Sequence, residues 1–281
     1  AEAIHLELDG LDMEKVYALK DANDDDALFK YLIITQCSAL SGVLPGMFQK
    51  IADYTELLFP DNLLRKGSVI ERMISDIPES DWNISEGGQV EIIGWLYQYY
   101  ISEKHEEVIK VIGKKSIKAQ DIPAATQLFT TDWVVRYIID NSVGRYWIER
   151  NPESNLKNEL EYFVTPKDGV IPQVNEKITP EQLTVFDPCM GSAHFGVYTF
   201  DVLEKIYTEY GYTEREAAAS IVQNNLFGLD IDERAAQLAS FAIMMKAMQY
   251  DRRFLKRGIQ PHFYEIKESN HVDSFTIDYF A

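Results

Sequence analysis

The second half of the chain alternates short apolar runs with longer segments of helical apolar spacing. The short runs have the length of strands and cover residues 184–187, 226–231 and 262–266. The longer segments predict helices over residues 193–209, from the capping box at 213–216, and over 233–250. Alternating strands and helices predict a parallel sheet with right-handed connections. Three strands are half of an ordinary doubly wound sheet, so we expect the sheet to be truncated at residue 281.

Helical spacing also dominates residues 1 to about 120. Three aspartates at 24–26 precede the apolar run 27–34, and acidic side chains suit the free N–H groups at a helix start. Further helices are predicted over residues 47–58 and 63–75. We therefore predict an α/β protein with a helical region at 1–120 and a sheet-containing part at 121–281.

Two predictions concern the segment between these parts. Thr131 is expected to cap a helix from Asp132 to about Asn141, whose apolar residues form one stripe. Residues 151–180 are polar and contain four prolines, which predicts an irregular connection or a small hairpin.

Charge and cysteine content narrow the protein class. The chain has 27 basic and 45 acidic residues, for a net charge of −18, whereas proteins that bind nucleic acid by themselves are usually basic. Any nucleic-acid contact is therefore expected to be local or to come from elsewhere. With two cysteines and no apolar run near the ~18 residues of a membrane span, we expect a cytoplasmic protein without membrane contact.

The most informative segment is the loop after the first predicted strand, Asp187-Pro188-Cys189-Met190-Gly191-Ser192-Ala193. Nucleotide-type ligands bind outside the carboxyl ends of such strands. Asp230 ends the next predicted strand, where a carboxylate can accept both ribose hydroxyls, and Ile231 can lie against adenine. The small loop residues leave room for a methionine moiety, so the pattern favours S-adenosylmethionine. The alternative is that both aspartates are ordinary turn residues.

Two other nucleotide motifs fit poorly. A dinucleotide fold requires G-x-G-x-x-G, but only Gly191 and Gly196 are present and position 193 is alanine. The phosphate-binding pattern G-x-x-x-x-G-K-[ST] is also absent from the loop. Hydride transfer and nucleoside triphosphate hydrolysis are therefore disfavoured.

The segment 187–195 resembles the D-P-x-x-G-S-G-x-[FL] motif of N6-adenine DNA methyltransferases. Phe129-Thr130-Thr131 resembles the family's [FY]-T-P segment, and 228–232 resembles its ribose-binding motif. The resemblance implies a Rossmann-like, S-adenosylmethionine-dependent fold. It assigns cofactor binding to Phe129, Thr130, Thr131, Asp187, Pro188, Cys189, Met190, Gly191, Ser192, Ala193, Asp230 and Ile231.

The runs at 92–100, 128–133 and 144–147 are similar to the PglX-type methyltransferases of BREX phage-defence systems. Those proteins are far longer, so we expect this chain to be an N-terminal fragment. The resemblance implies double-stranded DNA as a partner, contacted mainly through later regions, and other defence-system proteins as further partners.

The sequence departs from the family at two positions and lacks one motif. Ala193 replaces glycine, and its Cβ is expected to crowd the cofactor or to forbid a positive φ. Thr131 replaces proline. The family's catalytic [NDS]-P-P-[YFW] loop holds the flipped base, but the sequence contains no Pro-Pro dipeptide. We expect that loop after residue 281 and predict that these residues alone are inactive.

Two other functions stay open. The chain can be the modification part of a fused restriction–modification enzyme, or a non-catalytic interaction module with a degenerate cofactor fold. Among weaker candidates, residues 268–270 would lie near adenine and His194 would line the pocket. Four further residues would contact DNA: Trp133, Arg136, Arg145 and Trp147.

Overall fold

A computed structural model describes residues 10–48, 60, 62–84, 89–110, 116–127 and 130–268. The chain separates into two compact units, one within residues 1–92 and 252–258 and the other within 93–251 and 259–281. The division predicted near residue 120 stays a prediction.

The first unit is helical in its described residues. Its helices are α1 (Met13–Asp21), α2 (Asp25–Leu40), α3 (Val69–Asp76) and the single turn α4 (Glu79–Trp82). The acidic start of α2 is confirmed, because the Asp24 side chain accepts a hydrogen bond from Ala27 N at 3.0 Å. Helix α3 is shorter than predicted and begins after Ser68, whose hydroxyl accepts from Glu71 N. Most of the helix predicted at 47–58 lies outside the described residues.

The second unit contains the sheet and the longer helices. Its helices are α5 (Ile92–Ile109), α6 (Ile122–Thr126), α7 (Asp132–Ile139), α8 (Arg145–Arg150), α9 (His194–Tyr210), α10 (Glu214–Ser220) and α11 (Glu233–Tyr250). Its strands are β1 (Val185–Asp187), β2 (Leu226–Asp230) and β3 (His262–Glu265). The strands are parallel in the order β1-β2-β3, which confirms the predicted small parallel sheet.

Helices α9 and α11 supply much of the core of the second unit. Phe200, Leu203 and Ile206 of α9 are fully buried, and α11 packs closely because its buried positions include several alanines. Burial of each large apolar side chain contributes roughly 1.5–3 kcal/mol. This core fixes the carboxyl ends of β1 and β2, which carry the predicted ligand-binding aspartates.

A buried asparagine joins the segments that lead into β1 and β2. Asn225 ends a π-helical segment (Ile221–Asn225), and its Nδ2 donates to Pro180 O at 2.7 Å and to Leu183 O at 2.8 Å. Its Oδ1 accepts from the Tyr207 hydroxyl at 2.9 Å. One side chain therefore satisfies polar groups from three parts of the chain.

The prediction for the helix after Thr131 is corrected in two ways. Thr131 occupies the N-cap position, but its side chain makes no capping hydrogen bond. The helical path also continues beyond Asn141, through a π-helical segment (Asp140–Gly144) into α8. Within this segment the fully buried Asp140 carboxylate accepts from the Tyr198 hydroxyl at 2.8 Å and from Tyr162 N at 2.9 Å, so the continued helix carries no unsatisfied carboxylate there.

Residues 151–180, all described, form the irregular connection that was one of the two predicted forms. They contain the short 3₁₀ turn Leu156–Asn158 and no strand. In the part of the chain that the structure describes, no helix combines the length and apolarity needed to cross a bilayer.

Candidate cofactor-binding site

The loop between β1 and α9 is held against the tip of β2. Met190 N donates to Leu229 O at 3.0 Å, and Gly191 N donates to Asp230 Oδ2 at 2.8 Å. The Asp187 carboxylate accepts from Cys189 N at 3.1 Å, which closes the first turn of the loop. Two strand ends that are 43 positions apart in the sequence are thereby brought together at one edge of the sheet.

Asp230 is the centre of this arrangement. One of its carboxylate oxygens accepts from Gly191 N, and the other accepts from Asp232 N at 2.8 Å. A carboxylate has about four lone-pair sites, so two acceptor positions are left for a ligand. The side chain is partly exposed and lines a cavity at this edge of the sheet.

A cavity of about 370 Å³ lies at this edge. Its size falls within the range of small-molecule sites, roughly 300–1,000 Å³. The lining residues come from β1 and its loop, from the β2 end and from the segment before α7. They are Pro123, Thr126, Gln127, Thr130, Asp187, Pro188, Cys189, Met190, Gly191, Ser192, His194, Phe195, Asp230, Ile231, Asp232 and Ile266.

Most of the predicted site residues line this cavity, although their roles stay predictions. Thr131 and Ala193 are not among the lining residues, and Phe129 lies outside the described residues. Sequence reasoning did not assign Gln127 to the site. Asp232 belongs to the segment 228–232 that resembles the ribose-binding motif, and it also caps α11 by accepting from Arg234 N at 3.0 Å.

The electrostatics favour a ligand that is not an anion. Three carboxylates line the cavity, those of Asp187, Asp230 and Asp232. Burial raises the pKa of Asp187, the hydrogen bond from Cys189 N partly opposes this, and the Asp230 charge raises it further. Burial and both carboxylates also raise the pKa of the Cys189 thiol. A pyrophosphate would be repelled here, whereas a cationic sulfonium and ribose hydroxyls would be stabilised.

Two buried polar atoms of the lining residues have no partner among the described residues. They are Ser192 Oγ and Gln127 Oε1. A buried polar atom without a hydrogen bond costs about 1–3 kcal/mol, so such atoms favour a ligand with polar groups. Burial lowers the pKa of His194, which also lines the cavity, so its ring favours the neutral form.

The four weaker candidates for DNA contact differ in how far they are buried and in whether their side chains already have partners. Trp147 is only 2% exposed and belongs to the core. Arg136 pairs with Asp132 at 2.7 Å, and Arg145 donates to Val164 O. Trp133 is 57% exposed and keeps a surface on which a base can stack. Of the predicted adenine-side group at 268–270, positions 269 and 270 lie outside the described residues.

Ala193 has a φ of +67° and ψ of +36°, so the expectation that its methyl group would forbid a positive φ is wrong. Left-handed backbone costs a non-glycine residue about 1–2 kcal/mol. Glycine would remove that cost, but it would lose a buried methyl group, worth about 0.8 kcal/mol, and would add freedom to the unfolded chain. We therefore expect Ala193→Gly to change the free energy of unfolding by less than about 1 kcal/mol.

Ala193→Val is the matched comparison. A β-branched residue is poorly suited to this backbone conformation, and position 193 is 1% exposed, which leaves little room for a larger side chain. We therefore expect Ala193→Val to lower the free energy of unfolding by about 2 kcal/mol or more. Urea unfolding measures both variants. Equal stability of the valine and glycine variants would contradict the positive φ.

The known proteins to which this chain is similar are methyltransferases. Residues 166–275 match the family described as "MmeI, DNA-methyltransferase domain". The chain is 46% identical over 255 residues to adenine-specific methyltransferase BrxX of Escherichia coli O9:H4 (strain HS), a match that covers 88% of this chain and 20% of the relative. It is 41% identical over 270 residues to adenine-specific methyltransferase PglX of Lacticaseibacillus casei (strain Zhang), covering 92% and 22%.

A provisionally named type II restriction enzyme and methyltransferase of Methanocaldococcus jannaschii is 25% identical over 239 residues, covering 76% of this chain and 19% of the relative. The chain thus spans about a fifth of the length of each of these relatives. Over most of its own length, the chain is a homologue of BrxX and PglX and belongs to their family of adenine-specific methyltransferases.

Proposed function

We propose that this chain binds S-adenosylmethionine as the cofactor-binding portion of a site-specific DNA adenine-N6 methyltransferase. The observation that carries the proposal is the bond from Gly191 N to Asp230, which places the β1 loop and the β2 carboxylate around one cavity. In this arrangement Asp230 accepts the ribose hydroxyls, and Ile231, which is 49% exposed, lies against adenine. The loop 188–192 and Thr130 hold the methionine end. The surrounding fold is then the first part of a Rossmann-like sheet.

The chemistry of the donor set fits this cofactor. When bound, S-adenosylmethionine supplies an electrophilic methyl group on a cationic sulfonium. The acidic lining stabilises that charge, and the unpaired Ser192 Oγ and Gln127 Oε1 suit the carboxylate and ammonium groups of methionine respectively. The chain's own residues therefore bind and orient the methyl donor.

The acceptor is proposed to be an adenine in double-stranded DNA. The names of the homologues BrxX and PglX support adenine, and the matching family description supports DNA. The sequence resemblance to PglX-type enzymes supports a role of the full protein in BREX-type phage defence. The sequence has no Pro-Pro dipeptide, so no residue here is assigned to hold the flipped base. DNA and other defence-system proteins are therefore proposed partners of the full protein rather than of the cavity.

The alternatives have weaker support. A fused restriction–modification enzyme corresponds to the relative with 25% identity, compared with 46% and 41% for BrxX and PglX. The alternative of a non-catalytic interaction module with a degenerate cofactor fold depended on Ala193, whose Cβ was expected to crowd the cofactor or to forbid a positive φ. That residue adopts the left-handed conformation and is absent from the cavity lining.

Calorimetric titration tests the proposed function. We expect S-adenosylmethionine and its demethylated product to bind with micromolar dissociation constants, because a preformed site of this size needs little reorganisation. We also expect no methyl transfer to duplex DNA by these 281 residues. Absence of binding by both ligands would contradict the cofactor assignment, and turnover would contradict the expected inactivity.

A further inference from the structure

The segment 92–100, which carried part of the resemblance to PglX-type enzymes, is not used by the proposed cofactor contacts. It forms the first half of α5 and includes Gly94 and Tyr97, which are three positions apart and so lie on one face of the helix. Each of these residues contacts a different part of the cavity wall. The segment therefore requires a separate explanation.

Gly94 lies directly against the β1 loop. A Cβ at this position would lie 2.7 Å from Ser192 Oγ and 3.1 Å from Ser192 Cβ. The first distance is shorter than real Cβ contacts and the second is tighter than most of them, so a side chain at position 94 would require Ser192 or α5 to shift. Gly94 is buried, and its lack of a side chain lets the Ser192 side chain pack against α5.

Tyr97 contacts the other side of the site. Its hydroxyl donates to Asp232 Oδ2 at 2.5 Å, a charge-assisted bond. Gln127 Nε2 donates to the same oxygen at 3.4 Å. This longer bond engages the Gln127 amide nitrogen, and Gln127 Oε1 stays without a partner among the described residues.

Asp232 connects these contacts to the proposed ribose ligand. Its backbone N–H donates to Asp230 Oδ1, and Asp230 Oδ2 accepts from Gly191 N. A continuous series of hydrogen bonds therefore runs from Tyr97 through Asp232 and Asp230 to the β1 loop. Gly94 contacts the same loop at Ser192, one residue further along the chain.

We propose that Gly94 and Tyr97 of α5 are positioning residues that hold the β1 loop, Asp230 and Gln127 in the geometry that binds S-adenosylmethionine. This inference rests on the proposed function, and it assigns part of the cofactor affinity to a helix that does not touch the cofactor. Gly94 sets the distance between α5 and the loop, and Tyr97 holds Asp232.

Tyr97→Phe removes only the hydroxyl and is the first test. We expect the dissociation constant for S-adenosylmethionine to rise about tenfold, because a hydrogen bond to a charged group is lost one step from Asp230. Tyr99→Phe is the control, since Tyr99 lies on the same helix and is 76% exposed. Unchanged affinity in Tyr97→Phe would overturn the role of Tyr97.

Gly94→Ala tests the close contact with Ser192. We expect it to weaken binding more than Tyr97→Phe, because the added methyl group must displace the loop backbone or Ser192. Gly42→Ala is the control, since a Cβ there would have a single contact at 3.9 Å. Wild-type affinity in Gly94→Ala would overturn the role of Gly94.

A positioning role predicts coupling that general destabilisation would not produce. In a double-mutant cycle, Tyr97→Phe should have little further effect on affinity once Asp232→Ala, which leaves no side-chain acceptor for the Tyr97 hydroxyl, is present. Additive effects of the two changes would contradict the path through Asp232.

Amide hydrogen exchange distinguishes a failure of this positioning proposal from a failure of the proposed function. In ligand-free protein, exchange at Gly191 N–H should quicken in Tyr97→Phe and not in Tyr99→Phe. If the wild type binds no S-adenosylmethionine but exchange responds in this way, the proposed function fails while the positioning of the loop by Tyr97 is supported. If the wild type binds and neither affinity nor exchange responds to the variant, the positioning proposal fails alone.

Discussion

Asp230→Ala is expected to weaken S-adenosylmethionine binding by at least about 100-fold, as measured by calorimetric titration. Hydrogen bonds to a charged group contribute about 1.5–3 kcal/mol each, and 1.4 kcal/mol corresponds to a factor of ten in affinity. Asp230 is proposed to accept two ribose hydroxyls, so their loss alone accounts for this factor. The variant also releases Gly191 N and Asp232 N, which loosens the loop against which the cofactor binds.

Two variants control for charge and for shape. Asp168→Ala removes an acidic residue that is not among those lining the cavity and should leave affinity unchanged. Asp230→Asn keeps one acceptor oxygen and should weaken S-adenosylmethionine binding less than Asp230→Ala does. If Asp230→Ala binds within about threefold of the wild type, a difference below 1 kcal/mol, the ribose contact is assigned to the wrong residue.

The sequence predicted the part of the site that depends on strand ends. Asp187 and Asp230 each end a short apolar run, and parallel strands bring their carboxyl ends to one edge of the sheet. Local spacing and elementary sheet geometry are therefore enough to place them together. The caps of α2, α10 and α11 were predictable for the same reason, because a capping side chain bonds to backbone within three residues.

Contacts between distant segments were not predictable in this way. Tyr97 and Asp232 are 135 positions apart, and Gly94 meets Ser192 only because α5 packs against the loop. No local pattern encodes either contact. The buried Asp140 shows the same limit, since its partner Tyr198 lies 58 positions away. The positive φ at Ala193 could not be predicted either, because the surrounding loop imposes this conformation against the backbone preference of an alanine.

Asn225→Leu is expected to lower the free energy of unfolding by about 3 kcal/mol, which corresponds to roughly 6–12 °C in Tm. Leucine has a similar volume but cannot donate to Pro180 O or Leu183 O, and it cannot accept from the Tyr207 hydroxyl. Pro180 O keeps a bond from Leu183 N, and Tyr207 keeps its contact with Ser220. The main cost is therefore the buried Leu183 carbonyl and the loss of the link between the segments before β1 and β2.

Asn224→Leu is the matched control, because Asn224 is adjacent, exposed and bonded through Nδ2 to Ser220 Oγ alone among the contacts in the described residues. A substitution at such an exposed position is expected to change the free energy of unfolding by no more than about 0.5 kcal/mol. Thermal melting of both variants provides the comparison. Equal Tm values would mean that Asn225 does not join the strands. A selective loss in Asn225→Leu would show that one buried amide stabilises the approach to both strands whose ends carry Asp187 and Asp230, since Asn225 directly precedes β2 and its partner Leu183 lies two residues before β1.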